Sequence, residues 1–136
     1  MRWNIALAAP LLASAMLGAV TIASPAAAAP AGILRTLDPD RDGTVDLNEA
    51  KAAATALFDR LDRDHDGTLD RRELRGRLSA KQFAAADPDH DETLTKDEYL
   101  AVVEQRFTAA DPDHDGTLDA KELNTKAGQA LLRLLK

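Results

Sequence analysis

The sequence contains no cysteine, which excludes disulfides, thiolate metal sites and cysteine nucleophiles while leaving an oxidising compartment open. Aromatic residues make up only 4% of the chain, and both methionines, Met1 and Met16, lie near its start. A calmodulin-like sensor that grips target helices needs an adaptable apolar groove, often rich in methionine, so that function finds little support here. Positive charge is also short, with 17 Lys and Arg against 23 Asp and Glu and a formal charge of −6. That balance argues against nucleic acid and anionic lipid as partners and suits cations. No nucleophile elbow, phosphate loop or histidine pair occurs, so nothing in the sequence supports an enzyme.

What is there begins with a leader pattern. Arg2 is followed by an apolar stretch over residues 5–22 and by small residues over 23–29, the order of a secretory signal. Pro10 and Gly18 interrupt the apolar run and Pro25 breaks it soon afterwards, which weighs against the alternative of a membrane anchor. Ala26, Ala27 and Ala28 form an A-x-A cleavage site. The expected organisation is a signal peptide over 1–28 and one small metal-binding domain over 29–136, exported to the periplasm. Processing would leave 16 bases against 23 acids, a formal charge of −7.

One unit then occurs four times. It starts at Asp38, Asp62, Asp87 and Asp111 and closes at its twelfth position with Glu49, Glu73, Glu98 and Glu122. Aspartates fill positions 1, 3 and 5 of each: Asp38, Asp40 and Asp42; Asp62, Asp64 and Asp66; Asp87, Asp89 and Asp91; Asp111, Asp113 and Asp115. Position 7 is Thr44, Thr68, Thr93 or Thr117, and position 9 is Asp46, Asp70, Thr95 or Asp119. Each repeat also has Leu or Phe four residues before its first aspartate (Leu34, Phe58, Phe83, Phe107) and Val or Leu at position 8.

This is the EF-hand loop pattern. A hard cation needs six to eight oxygens on a tightly curled backbone. Alternate carboxylates, the backbone carbonyl of position 7 and a final glutamate binding through both oxygens supply them. The alternative, acidic surface turns that merely cap helices, leaves five acids within twelve residues repelling one another. In loop 3, Glu92 stands where the others have a turn-forming glycine and Thr95 replaces the position-9 aspartate, so this site is expected to be the weakest. His65, His90 and His114 occupy position 4, and no two lie at the spacing a transition metal would need.

The first aspartates are spaced by 24, 25 and 24 residues, too little chain for separate outgoing and incoming helices. Leu47, Ala50, Ala54, Leu57, Phe58 and Leu61 form one unbroken helical stripe, so a single helix of roughly 22 Å should serve loops 1 and 2 and hold them at opposite ends. Tyr99, Val103, Phe107 and Ala110 give loops 3 and 4 the same arrangement. Between loops 2 and 3, Gly76 weakens the helix, and Ser79 with Gln82 reads as a capping box that starts a new one. The expected fold is all-α: a compact helical bundle with four EF-hand loops at its periphery, pairing 2 with 3 and 1 with 4. Leu131, Leu132, Leu134 and Leu135, after Gly128, are expected to form a last short helix that closes the core, the alternative being a partner-binding tail.

With Asp46, Asp70 and Asp119, loops 1, 2 and 4 carry five acids each. Five anions leave about three charges uncompensated around a divalent ion and about two around a trivalent one, so extra carboxylates favour trivalent ions. A light lanthanide is close to calcium in size, and charge rather than fit would decide. Position 9 often acts through water in ordinary calcium loops, so the extra charge bears on preference between ions alone. Pro39, Pro88 and Pro112 at position 2 either stiffen the unliganded loop and sharpen metal choice or simply favour a turn.

The DPDxDGTLD loops, the 24- and 25-residue steps, the GRLS stretch over 76–79 and the KAGQALLRLLK tail together resemble the lanmodulin family of periplasmic lanthanide-binding proteins, over essentially the whole chain after the leader. The resemblance implies selective binding of rare-earth ions, metal-induced folding and a role in lanthanide uptake, trafficking or buffering, with the Asp and Glu residues above as ligands. Loop 2 departs from it with Arg63 in place of proline, and loop 3 departs further. The competing reading is an exported calcium buffer or calcium-dependent structural protein. An interaction module of the dockerin kind uses two loops on a longer repeat, whereas this chain has four. With few aromatics and four clustered anionic loops, the chain is expected to fold fully only when metal arrives.

Overall fold

Helix α2 (Leu47–Leu61) begins where Asp46 accepts a hydrogen bond from the N–H of Glu49 and the Glu49 side chain accepts one from the N–H of Asp46. That reciprocal box satisfies two donors that a helix start leaves bare. The helix ends at Asp62, whose N–H still reaches the carbonyl of Phe58. Its fifteen residues thus run from the tenth position of loop 1 to the residue just before loop 2, with Ala50, Ala54, Leu57 and Phe58 buried on one face. Helix α4 (Lys96–Ala110) repeats the design between loops 3 and 4: Thr95 and Glu98 form the box, and Tyr99, Val103, Phe107 and Ala110 are buried.

These two helices belong to a computed structural model that describes residues 31–136. The leader over 1–28 and its cleavage site lie outside the described residues. Among the described residues no helix is long and apolar enough to cross a membrane. Around α2 and α4 stand α1 (Ala31–Leu37), α3 (Ala80–Ala86), α5 (Ala120–Leu123) and α6 (Lys126–Leu132). Four strands of two or three residues complete the chain: β1 (Val45–Asp46), β2 (Thr68–Asp70), β3 (Thr93–Thr95) and β4 (Thr117–Leu118). The described residues are mostly helical, with six helices and four EF-hand-like loops.

The strands form two antiparallel ladders. Val45 stands opposite Leu118 and Asp46 opposite Thr117, while Thr68, Leu69 and Asp70 face Thr95, Leu94 and Thr93. The position-8 residues Val45, Leu69, Leu94 and Leu118 are each fully buried, so each ladder plugs one end of the core. Between the ends, α2 and α4 run antiparallel: Lys51 bridges to Glu104, Lys96 to Asp59, and the Phe58 and Tyr99 rings meet at 5.9 Å.

The chain between loops 2 and 3 does not form an α-helix after Glu73. Residues 71–77 make a series of turns, in which the N–H of Arg77 and that of Leu78 both reach the carbonyl of Leu74. Gly76 there takes φ +82, a left-handed conformation that glycine adopts without steric cost. Ser79 then caps α3 through a full box with Gln82.

At the C-terminal end the sequence expectation needs a correction. Gly128 does not precede the last helix; it lies inside α6, which starts at Lys126 under a Thr125 cap. The reason is close approach: a Cβ at position 128 would stand 2.2 Å from the carbonyl oxygen of Glu122 and 2.5 Å from Cα of Leu123. Leu131 and Leu132 are buried from the helix, whereas Leu134 and Leu135 lie beyond it, the first fully buried and the second half-buried. The Tyr99 hydroxyl donates to the carbonyl of Leu134 at 2.5 Å and Arg106 donates to that of Ala130 at 2.6 Å, which ties this segment to α4.

Candidate metal centres

Each loop is folded by its own carboxylates. Position 1 does most of the work: Asp38 accepts from the N–H groups of Asp42 and Gly43, and Asp62 from those of Asp66 and Gly67. Asp87 accepts from Asp91 and Glu92, and Asp111 from Gly116. These four aspartates are the buried charged side chains of the described residues, each no more than 8% exposed. Position 5 is held from the other side, since Asp42, Asp66, Asp91 and Asp115 each accept from both the N–H and the hydroxyl of the threonine two residues on, Thr44, Thr68, Thr93 or Thr117.

The curl requires left-handed backbone at two places. Position 6 has φ +91, +86 and +87 at Gly43, Gly67 and Gly116, and Glu92 takes φ 70 in loop 3. Position 4 is also left-handed, at Arg41, His65, His90 and His114. The sequence reading passed over this, although histidine is among the residues enriched in that region.

Three carboxylates converge in every loop, with one oxygen from each within 4.8 Å of the others: Asp38, Asp40 and Glu49; Asp62, Asp64 and Asp66; Asp87, Asp89 and Asp91; Asp111, Asp113 and Glu122. Glu73 and Glu98 stand outside these groups, as do Asp42, Asp115 and every position-9 residue. Asp46, Thr95 and Asp119 are instead N-caps and Asp70 heads the turns over 71–77, each accepting from the N–H of the glutamate three residues on. The three-residue spacing from position 9 to position 12 carries that box in the sequence itself.

Crowding shows in the titration behaviour. At Asp40 the N–H of Asp42 pulls the pKa down, but the adjoining Asp38 carboxylate, burial and the charge of Asp42 outweigh it and leave the group above the ordinary range. The Asp87 carboxylate, then burial, raise Asp89 in the same way. Burial first, then the carboxylates of Asp40, Asp46 and Asp38, raise Glu49. Asp42 and Asp66 are lowered by the hydroxyls and N–H groups of Thr44 and Thr68. Burial pushes Asp87 and Asp111 up, but the N–H groups pointed at them prevail and both end below the ordinary value.

A cation fits this donor set. Oε1 of Glu49 and Oδ1 of Asp111 are buried without any hydrogen-bond partner, each within a three-carboxylate group. A buried carboxylate oxygen left bare is costly, and a bound cation would satisfy it.

Comparison with known families gives the same direction. The EF-hand family model matches residues 55–79 and 102–125, spans that cover loops 2 and 4 with the helices leading into them. No curated protein matches the chain. The two matched segments and the four acidic groups indicate an EF-hand protein that binds metal ions.

Proposed function

We propose that this EF-hand metal-binding protein takes up trivalent rare-earth ions, as an exported carrier or buffer of the periplasm rather than as an enzyme. The observation that carries the reading is the bare, buried oxygen pair Glu49 Oε1 and Asp111 Oδ1 inside carboxylate groups that already hold mutually repelling charges. With two further acids in each of loops 1 and 4 close by in sequence, Asp42 and Asp46 or Asp115 and Asp119, each site offers more negative charge than a divalent ion balances. The leader pattern supports export, and the lanmodulin-like loops and tail support a lanthanide cargo. The strand ladders support loops 1 with 4 and 2 with 3 acting as two-site units, one at each end of the bundle.

A second reading, calcium binding, has its own support. One oxygen of each position-9 aspartate is committed to the N–H of the glutamate three residues on, which lowers the number of carboxylate oxygens free for a cation. Competition decides between them. Loading the protein with lanthanum while following helical circular dichroism should give a large gain in helix, and calcium at micromolar levels should not displace the lanthanum. Displacement at those levels would rule out a lanthanide carrier and leave a calcium buffer.

A further inference from the structure

The two ends of the bundle hold their position-12 glutamates differently. At the end where β1 meets β4, Glu49 and Glu122 accept on Oε2 from the N–H of Asp46 and Asp119, and both belong to the converging carboxylate groups. Both bare, buried carboxylate oxygens of the described residues lie at this end. At the end where β2 meets β3, Glu73 and Glu98 stand outside their groups, and each has one additional donor. In loop 2 the N–H of Arg63 reaches Oε1 of Glu73 at 2.9 Å while Asp70 holds Oε2. Pro39, Pro88 and Pro112, at the equivalent position, have no N–H to give. In loop 3 the Thr95 hydroxyl joins its own N–H on Oε2 of Glu98, at 2.9 and 2.8 Å, a donor that an ionised aspartate at position 9 lacks.

We propose that loops 1 and 4 are the ready end, which takes metal first, and that loops 2 and 3 are a latched end, which fills only after the Arg63 N–H and the Thr95 hydroxyl release their glutamates. The proposal rests on the metal-binding reading above and adds an order to it. At the ready end a cation meets two buried carboxylate oxygens, Glu49 Oε1 and Asp111 Oδ1, that have no competing partner. At the latched end the glutamate must break a hydrogen bond to its charged group before it can turn toward the ion, and such bonds are worth enough to separate the two ends by roughly tenfold or more in affinity. Charge alone ranks the loops otherwise: loop 3 holds six acids against the single base Lys96 and would fill first.

The amides at position 6 report each loop separately. In an isotope-labelled full chain, titrated with lanthanum buffered by a chelator at fixed pH, the Gly43 and Gly116 signals should reach half-change at roughly tenfold lower free metal than those of Gly67 and Glu92. Simultaneous filling, or filling of loop 2 or 3 first, would overturn the order. Arg63→Pro removes the donor in a backbone that Asp87 and Asp111 already adopt before proline, with ψ 87 and 84 against 86 at Asp62. It should bring the Gly67 curve toward that of Gly43, whereas Arg63→Ala, which keeps the N–H and drops the guanidinium, should leave it within about twofold of the parent. Equal effects of the two variants would show that side-chain charge holds loop 2 and would end the latch. No response at any of the four amides to lanthanum or calcium would remove the premise itself, a result distinct from a reversed order.

Discussion

At the residue scale the loops depend on a few positions whose roles differ from their appearance in the sequence. Glu92 was legible as a strained residue, because a repeat with glycine at position 6 in three copies marks the fourth as an exception, and its φ of 70 carries that strain. Glu92→Gly is therefore expected to relieve about 1–2 kcal/mol and tighten loop 3 by up to roughly thirtyfold. Calorimetric titration of the variant beside the parent checks it, and a weaker loop 3 would mean that the lost carboxylate matters more than the strain. The position-9 acids were read from composition as extra ligands, but their spacing to position 12 also encodes a helix cap, and that is where the fold places one oxygen of Asp46 and of Asp119. The two readings were equally present in the letters; only the direction of the side chain separates them.

At the scale of elements, periodicity carried the long helices well. The stripes of α2 and α4 are buried where the sequence puts them, apart from Leu47 and Leu61 at the ends of α2, which are half-buried. The capping box at Ser79 was equally legible and sets where the chain resumes helix after the turns over 71–77. Ser79→Ala should cost about 1 kcal/mol in urea unfolding of the calcium-saturated protein, and an unchanged midpoint would show that packing of Phe83 alone positions α3. Gly128 was misread because a glycine near a helix start suggests a break, while the actual constraint comes from α5, distant in no linear pattern. Gly128→Ala is expected to destabilise by roughly 1–3 kcal/mol, since its methyl group would meet backbone rather than a movable side chain. Thermal unfolding at saturating metal measures this, and a loss well under 0.5 kcal/mol would mean α6 can shift freely.

For the molecule as a whole, the C-terminal segment locks the bundle through Tyr99, which is fully buried and donates to Leu134. Burial pushes its pKa up to about 12 from 10.0. The folded protein thus keeps this proton where the unfolded chain gives it up, so the associated stability is intact below pH about 10 and is lost as the pH rises toward about 12, on the order of 3 kcal/mol in all. Alkaline titration of tyrosinate absorbance alongside circular dichroism tests this. Ionisation near pH 10 without loss of helix would place Tyr99 in contact with water. The sequence alone determined the four-fold acidic repeat, the ligand-type residues and the two shared helices, because each depends on spacing within about fifteen residues and on local backbone rules. Tertiary structure alone decided which glutamates turn into the carboxylate groups, which carboxylate oxygens are left bare, and why Gly128 must lack a side chain. Those outcomes depend on donors and backbone brought close by the fold, and side-chain direction within a loop leaves no periodic trace in the order of residues.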